Sequence, residues 1–191
     1  MSTINWSTYT EKGYLNEEDL SNLIKTYSDF FNDFGINNFR KFNVLEFGAG
    51  HGKNTILFSR LFNKILATEP NTHLYSEISN KIIKDKLSSK IKIQQIDVES
   101  FQTNNKFDIV ILANVFLFIE NKQKALLKFS RLLKKNKYLL VIEPLRFFRY
   151  KSPNHSLMQE SLFAINNTKK FEVVYIGCLG VNSWTYLLKL K

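Results

Sequence analysis

Short apolar runs alternate with longer amphipathic stretches along most of this chain. Phe42–Phe47, Lys64–Ala67, Lys90–Gln95, Phe107–Leu112 and Tyr138–Ile142 have the length and density of buried strands. Phe107–Leu112 and Tyr138–Ile142 read as the middle of a parallel sheet covered on both faces. Between the runs, apolar residues recur at helical spacing. Asn54–Phe62 is one such stretch. A second begins at Asn71, a good N-cap, and carries Leu74, Ile78 and Ile82. Lys122–Leu133 is a third, with Ala125, Leu126, Phe129 and Leu132 on one face. Upstream, Asn16-Glu17-Glu18-Asp19 places acidic residues at a helix start. Leu20, Leu23, Ile24, Tyr27, Phe30, Phe31 and Phe34 then form a stripe that Gly35 closes. Ser156–Ile165 is the last predicted helix. Phe171–Ile176 and Ser183–Leu190 read as two strands joined by a turn containing Gly177 and Gly180.

Alternation of this kind predicts an α/β protein, a three-layer α/β/α sandwich around a seven-stranded, mostly parallel sheet that ends in an antiparallel hairpin. One domain over residues 1–191 is expected. Within it, residues 1–35 form an N-terminal lid and helix segment, and residues 145–156 an insertion after strand five.

Composition narrows this picture. With 44% hydrophobic residues and 17 phenylalanines, the chain can build a real core and does not read as disordered. The net charge of +10 favours anionic partners. A single cysteine, Cys178, rules out a disulfide within the chain and fits the cytoplasm or another reducing compartment. His51, His73 and His155 fit no metal-ligand spacing, so no metal is expected. No apolar run is long enough to span a bilayer, and the first residues do not read as a signal peptide.

The densest chemical signal follows the first strand. Val44-Leu45-Glu46-Phe47 runs into Gly48-Ala49-Gly50-His51-Gly52, and a helix follows. Alternating glycines let the backbone turn and let a ligand approach the main chain. In open α/β sheets ligands sit beyond the carboxyl ends of the strands. Polar residues stand at the other strand ends as well: Glu69-Pro70, Asp97-Val98 and Asn114. Glu69 can accept from both hydroxyls of a ribose, and Asp97 from an exocyclic adenine amine. The glycine spacing is not the Gly-x-Gly-x-x-Gly of a nicotinamide dinucleotide site, since Lys53 stands where the third glycine belongs. Nor is it a P-loop, because Gly52-Lys53 is followed by Asn54.

On these residues the chain resembles the class I S-adenosylmethionine-dependent methyltransferases over essentially its whole length. Val44–Gly52 is similar to the family's first motif, Glu-x-Gly-x-Gly-x-Gly. The resemblance implies a Rossmann-like sheet and S-adenosyl-L-methionine as cofactor. It implies cofactor contacts at Glu46, Gly48, Ala49, Gly50, Gly52, Glu69, Pro70, Asp97, Val98 and Asn114. It also implies methyl transfer by in-line attack on the sulfonium methyl, with proximity and orientation as the protein's main contribution. For acid–base work the candidates are His155, in the segment after strand five, and Tyr14, from an N-terminal segment that folds over the cofactor in many relatives.

A small-molecule acceptor is the first expectation. No Asn/Asp-Pro-Pro-aromatic sequence follows the fourth strand, where Ala113-Asn114-Val115-Phe116 stands instead. The stretch Leu145-Arg146-Phe147-Phe148-Arg149-Tyr150-Lys151 interleaves basic and aromatic residues. Through Arg146, Arg149 and Lys151 it suits an anionic small molecule, an acidic protein or a nucleic acid. Methylation of RNA or protein, and a non-catalytic cofactor-binding scaffold, are the alternatives.

Overall fold

The structure, a computed structural model, describes residues 17–144, 155–179 and 183–191, with side chains described for 18–143, 159–179 and 183–191. Helix α1 spans Glu17–Asp33 and is followed by a short 3-10 turn, Phe39–Lys41. The elements that follow are β1 (Asn43–Phe47), α2 (Lys53–Leu61), β2 (Lys64–Thr68), α3 (Thr72–Lys84), β3 (Ile91–Gln94) and β4 (Phe107–Ala113). After a 3-10 turn at Phe116–Phe118 come α4 (Lys122–Leu132), β5 (Leu133–Pro144), α5 (His155–Thr168), β6 (Phe171–Cys178) and β7 (Ser183–Leu190).

The seven strands form one sheet in the order β3-β2-β1-β4-β5-β7-β6. The first five run parallel, and β7 lies antiparallel between β5 and β6. The strand order reverses between β1 and β4, which opens a crevice above their carboxyl ends.

Two apolar layers cover the sheet. On one face Leu23, Tyr27, Phe30 and Phe31 of α1 pack with Leu57 and Phe58 of α2 and with Ile78 and Ile82 of α3. On the other face Ala125, Leu126 and Phe129 of α4 and Ile165 of α5 cover Leu45, Phe47, Val110 and Val141. This matches the expected three-layer sandwich. Gly35 ends α1 at φ +71°, and the Ile36 N–H reaches back to the Phe31 carbonyl at 2.8 Å. Asn71 caps α3 as expected, its Oδ1 accepting from His73 and Leu74 N–H at 3.0 and 3.1 Å. The described part of the N-terminal segment is therefore a core helix. Its Tyr27 ring stands edge-on to Phe58 at 5.7 Å.

Residues 95–106 join β3 to β4 as a loop that buries Phe101 edge-on against Phe47. One element differs from the sequence pattern: β5 begins at Leu133, five residues before Tyr138. Its polar start is held by buried Asp108 of β4, which takes Lys134 Nζ at 2.9 Å, Lys137 Nζ at 3.4 Å and the Asn43 N–H at 3.0 Å. Burial opposes a charge on Asp108, but the Asn43 amide and the two ammonium groups outweigh it and hold its pKa below the usual carboxylate value.

Candidate active site at the strand ends

A cleft of about 330 Å³ opens at the carboxyl ends of β1 to β4. That is within the size range of small-ligand pockets. It is lined by Gly48 after β1, by Thr68, Glu69 and Pro70 at the end of β2, and by Ile96 to Glu99 after β3. Asn114, Val115, Phe118 and Ile119 close it. Five of the expected cofactor residues other than Gly48 therefore line one space: Glu69, Pro70, Asp97, Val98 and Asn114.

The glycine loop is tied to β2. Ala49 N–H donates to the Thr68 carbonyl at 2.9 Å, and Gly50 N–H to Glu69 Oε2 at 2.7 Å. The second oxygen of Glu69 accepts from the Asn71 N–H at 3.0 Å. Glu69 is thus 5% exposed and held by two backbone amides, with lone pairs left to accept from a ligand. The Gly50 amide is thereby spent on an internal bond.

Gly48, Gly50 and Gly52 all have positive φ, at +71°, +55° and +78°. A Cβ on Gly48 would collide with Cγ2 of Val115, and one on Gly52 would lie 2.7 Å from Ile78 Cδ1. A Cβ on Gly50 would meet nothing within 4 Å. Gly48→Ala should therefore cost about 2–4 kcal/mol, from the left-handed backbone and the clash together. Gly50→Ala should cost only the backbone term, about 1–2 kcal/mol. Equilibrium denaturation of the two variants reads this difference directly.

Beneath the loop, Glu46 is 1% exposed and neither of its oxygens has a hydrogen-bond partner. Burial pushes its pKa up to about 7. The Thr55 hydroxyl faces it and offsets part of that rise, without the geometry of a formed bond. The Thr68 hydroxyl, which borders the cleft, is likewise buried and unsatisfied. Buried polar atoms without partners are rare in native proteins and often mark a place where a ligand completes the set. An adenosine cofactor with an amino-acid tail fits this set: a cation would complete the unpartnered Glu46 carboxyl, and ribose hydroxyls would use the lone pairs left on Glu69, whose own backbone bonds are already made.

Asp97 has a structural task at the same time. Its carboxylate accepts from Ser100 N–H at 2.6 Å and Ser100 Oγ at 3.2 Å, which closes the turn that follows β3. The Ser100 backbone bond leads in holding its pKa low. His51 is exposed and turned to the loop's outer side, with Nδ1 3.0 Å from the Glu77 carboxylate on α3. Tyr14, Arg146, Arg149, Lys151 and the side chain of His155 lie outside the described residues.

Several cleft residues carry no motif in the sequence: Thr68, Ile96, Val115, Phe118 and Ile119. Val115–Ile119 is a continuous apolar run, so periodicity alone does not separate the faces that meet the core from those that meet the cleft. Phe118, at 71% exposure, is the large apolar group on this rim.

Residues 45–141 match the methyltransferase domain family. The chain belongs to the class I S-adenosylmethionine-dependent methyltransferases. The cofactor of this methyltransferase domain is S-adenosyl-L-methionine. Among curated proteins it is similar to malonyl-[acyl-carrier protein] O-methyltransferase 2 of Ilyobacter polytropus, with 36% identity over 88 residues, 43% of this chain and 31% of that protein. The matches span 31% to 58% of the length of such curated relatives. A methyltransferase structure from Aquifex aeolicus shares the fold at a TM-score of 0.71 and 16% identity, over 93% of this chain and all of that one. Magnesium protoporphyrin IX methyltransferase from Synechocystis PCC 6803 does so at 0.67 and 13%, over 97% and 89%.

Proposed function

We propose that this methyltransferase acts on a small-molecule acceptor bearing an anionic group. S-adenosylmethionine supplies a methyl group made electrophilic by its sulfonium. The protein's residues bind and orient: Glu69 takes the ribose hydroxyls, Glu46 and the glycine loop the amino-acid tail, and Asp97 and Val98 border the adenine. Proximity of this kind accounts for a large share of catalysis in a bimolecular transfer.

The observation that carries the acceptor reading is the distribution of charge about the sheet. Lys134, Lys135 and Lys137 start β5, Lys169 and Lys170 precede β6, Lys189 stands near the end of β7, and Lys191 follows it. All of these stand at the end of the sheet opposite the cleft. Others, such as Arg60, Lys84 and Arg131, sit in or beside last helical turns, where they complement the helix dipole. Much of the positive excess is thus remote from the reacting centre, which supports a compact acceptor over a polyanion laid across the cleft. The described part of β5 ends at Pro144, on the cleft edge of the sheet; Arg146, Arg149 and Lys151 follow it in sequence and are the proposed anion contacts. His155 is the proposed base where the acceptor must lose a proton, and Tyr14 the proposed lid residue. The similar proteins, a malonyl-[acyl-carrier protein] O-methyltransferase and a magnesium protoporphyrin IX methyltransferase, support an acceptor other than nucleic acid.

Methylation of RNA is the second reading, favoured by the net charge and by the aromatic–basic stretch after β5. Incubation with labelled S-adenosylmethionine and a fractionated extract separates the two. Label in the low-molecular-mass fraction is expected, and an Arg146→Ala/Arg149→Ala variant should raise KM for that acceptor about tenfold or more. Label confined to RNA or protein contradicts the proposal. Among the described residues no helix is long and apolar enough to cross a membrane. Exposed, unpaired Cys178 supports placement in a reducing compartment such as the cytoplasm.

A further inference from the structure

The closing wall of the cleft, residues 114–119, joins β4 to α4 and is tied down at three points. Asn114 N–H donates to the Ile142 carbonyl at 2.8 Å, with Asn114 itself at φ +61°. Leu117 N–H donates to Glu143 Oε1 at 3.2 Å, and the Phe116 amide also faces this carboxyl. Lys122 Nζ donates to the Ile119 carbonyl at 3.0 Å. Two of the three ties come from consecutive residues of β5.

Glu143 is 1% exposed, and its Oε2 has no hydrogen-bond partner. Burial pushes its pKa up to about 8, against the pull of the two amides and of Lys122. A half-satisfied buried carboxyl is a poor way to fill core space; an apolar side chain of similar volume is often as stable or more so. Local choices that cost stability cluster at functional sites. This one has a direct route to the cofactor cleft. The amide it holds belongs to the residue before Phe118, which lines the cleft, and two residues after Val115, which abuts Gly48.

We propose that Glu143 is a positioning residue: by holding the Leu117 amide it sets Val115 and Phe118 against the glycine loop and so shapes the cofactor cleft. The inference rests on the reading of that cleft as the S-adenosylmethionine site. Glu143 acts through an acceptor oxygen, so glutamine can replace it and leucine cannot. Aspartate keeps the carboxyl but withdraws it from the amide by one methylene.

Calorimetric titration of the full chain with S-adenosylhomocysteine tests this. Glu143→Gln should bind within about twofold of wild type, while Glu143→Leu and Glu143→Asp should each lose about tenfold, the worth of one buried hydrogen bond and the wall it fixes. A merely structural role would lower the melting temperature of a variant without this rescue by glutamine. Wild-type affinity in folded Glu143→Asp or Glu143→Leu overturns the proposal, and so does a Gln variant as impaired as Leu. The aspartate variant decides alone if the leucine variant does not fold. Wild-type protein that binds no S-adenosylhomocysteine removes the cofactor reading itself, an outcome separate from either of these.

Discussion

Glu69→Ala is expected to weaken S-adenosylhomocysteine binding by at least about 100-fold, because two kinds of interaction fail together. The carboxylate is the acceptor proposed for the ribose hydroxyls. It also holds the glycine loop, through the Gly50 amide at 2.7 Å, and its own turn, through the Asn71 amide at 3.0 Å. Hydrogen bonds to a charged acceptor contribute about 1.5–3 kcal/mol each, so loss of two reaches the stated factor. Glu69→Gln separates the contributions. It keeps one carbonyl oxygen as acceptor but turns an amide donor toward one of the two backbone N–H groups, so it should fall between wild type and alanine. Thermal melting of each variant shows whether the loop has come loose in the absence of ligand. An alanine variant that is folded and binds as tightly as wild type would sink the placement of Glu69 on the ribose.

Stability should fall as pH rises from about 5 to about 8.5. The cause is the pair of buried carboxyls, Glu46 at about 7 and Glu143 at about 8, against an ordinary value of 4.5. Across that window the folded protein keeps protons that the unfolded chain has released. The unfolded state then binds fewer protons, so unfolding becomes easier with every step up in pH. One pKa unit corresponds to 1.36 kcal/mol, which gives roughly 3 kcal/mol for Glu46 and roughly 5 kcal/mol for Glu143 once both are ionised. Below pH 4.5 neither penalty is present. Urea denaturation at pH 5.5 and pH 8.5 measures the difference. Glu46→Gln and Glu143→Gln should each flatten the profile, the second more than the first, since a neutral amide has no proton to lose. A profile that rises through this range would mean that the two carboxyls are ionised at neutral pH and satisfied by groups other than those seen here.

The parts of this molecule legible in its sequence are those set by local periodicity and by backbone chemistry. The stripe from Leu23 to Phe31, the Asn71 cap, the Gly35 stop and the positive-φ glycines after β1 each follow from residues within one turn of each other. The strand-end positions Glu69, Asp97 and Asn114 were also readable, because parallel topology puts strand ends on one edge. What the sequence conceals depends on contacts between distant residues. The Lys134–Lys137 run looks like a loop until Asp108, 26 residues upstream of Lys134, draws it into β5. Glu143 looks like a polar strand end until its carboxyl meets Leu117. Asp97 carries a turn as well as facing the cleft, and no spacing rule reveals that second role. Lys122 reads as a helix-start lysine, yet it is buried and ties down Ile119.

The cofactor assignment is the claim on which the rest depends, and parallel calorimetric titrations with S-adenosylhomocysteine and NAD test it most directly. The fold, the glycine loop and the unsatisfied Glu46 and Thr68 predict saturable one-to-one binding of S-adenosylhomocysteine and none of NAD. Binding of NAD with no response to S-adenosylhomocysteine, in protein verified as folded, would contradict the account.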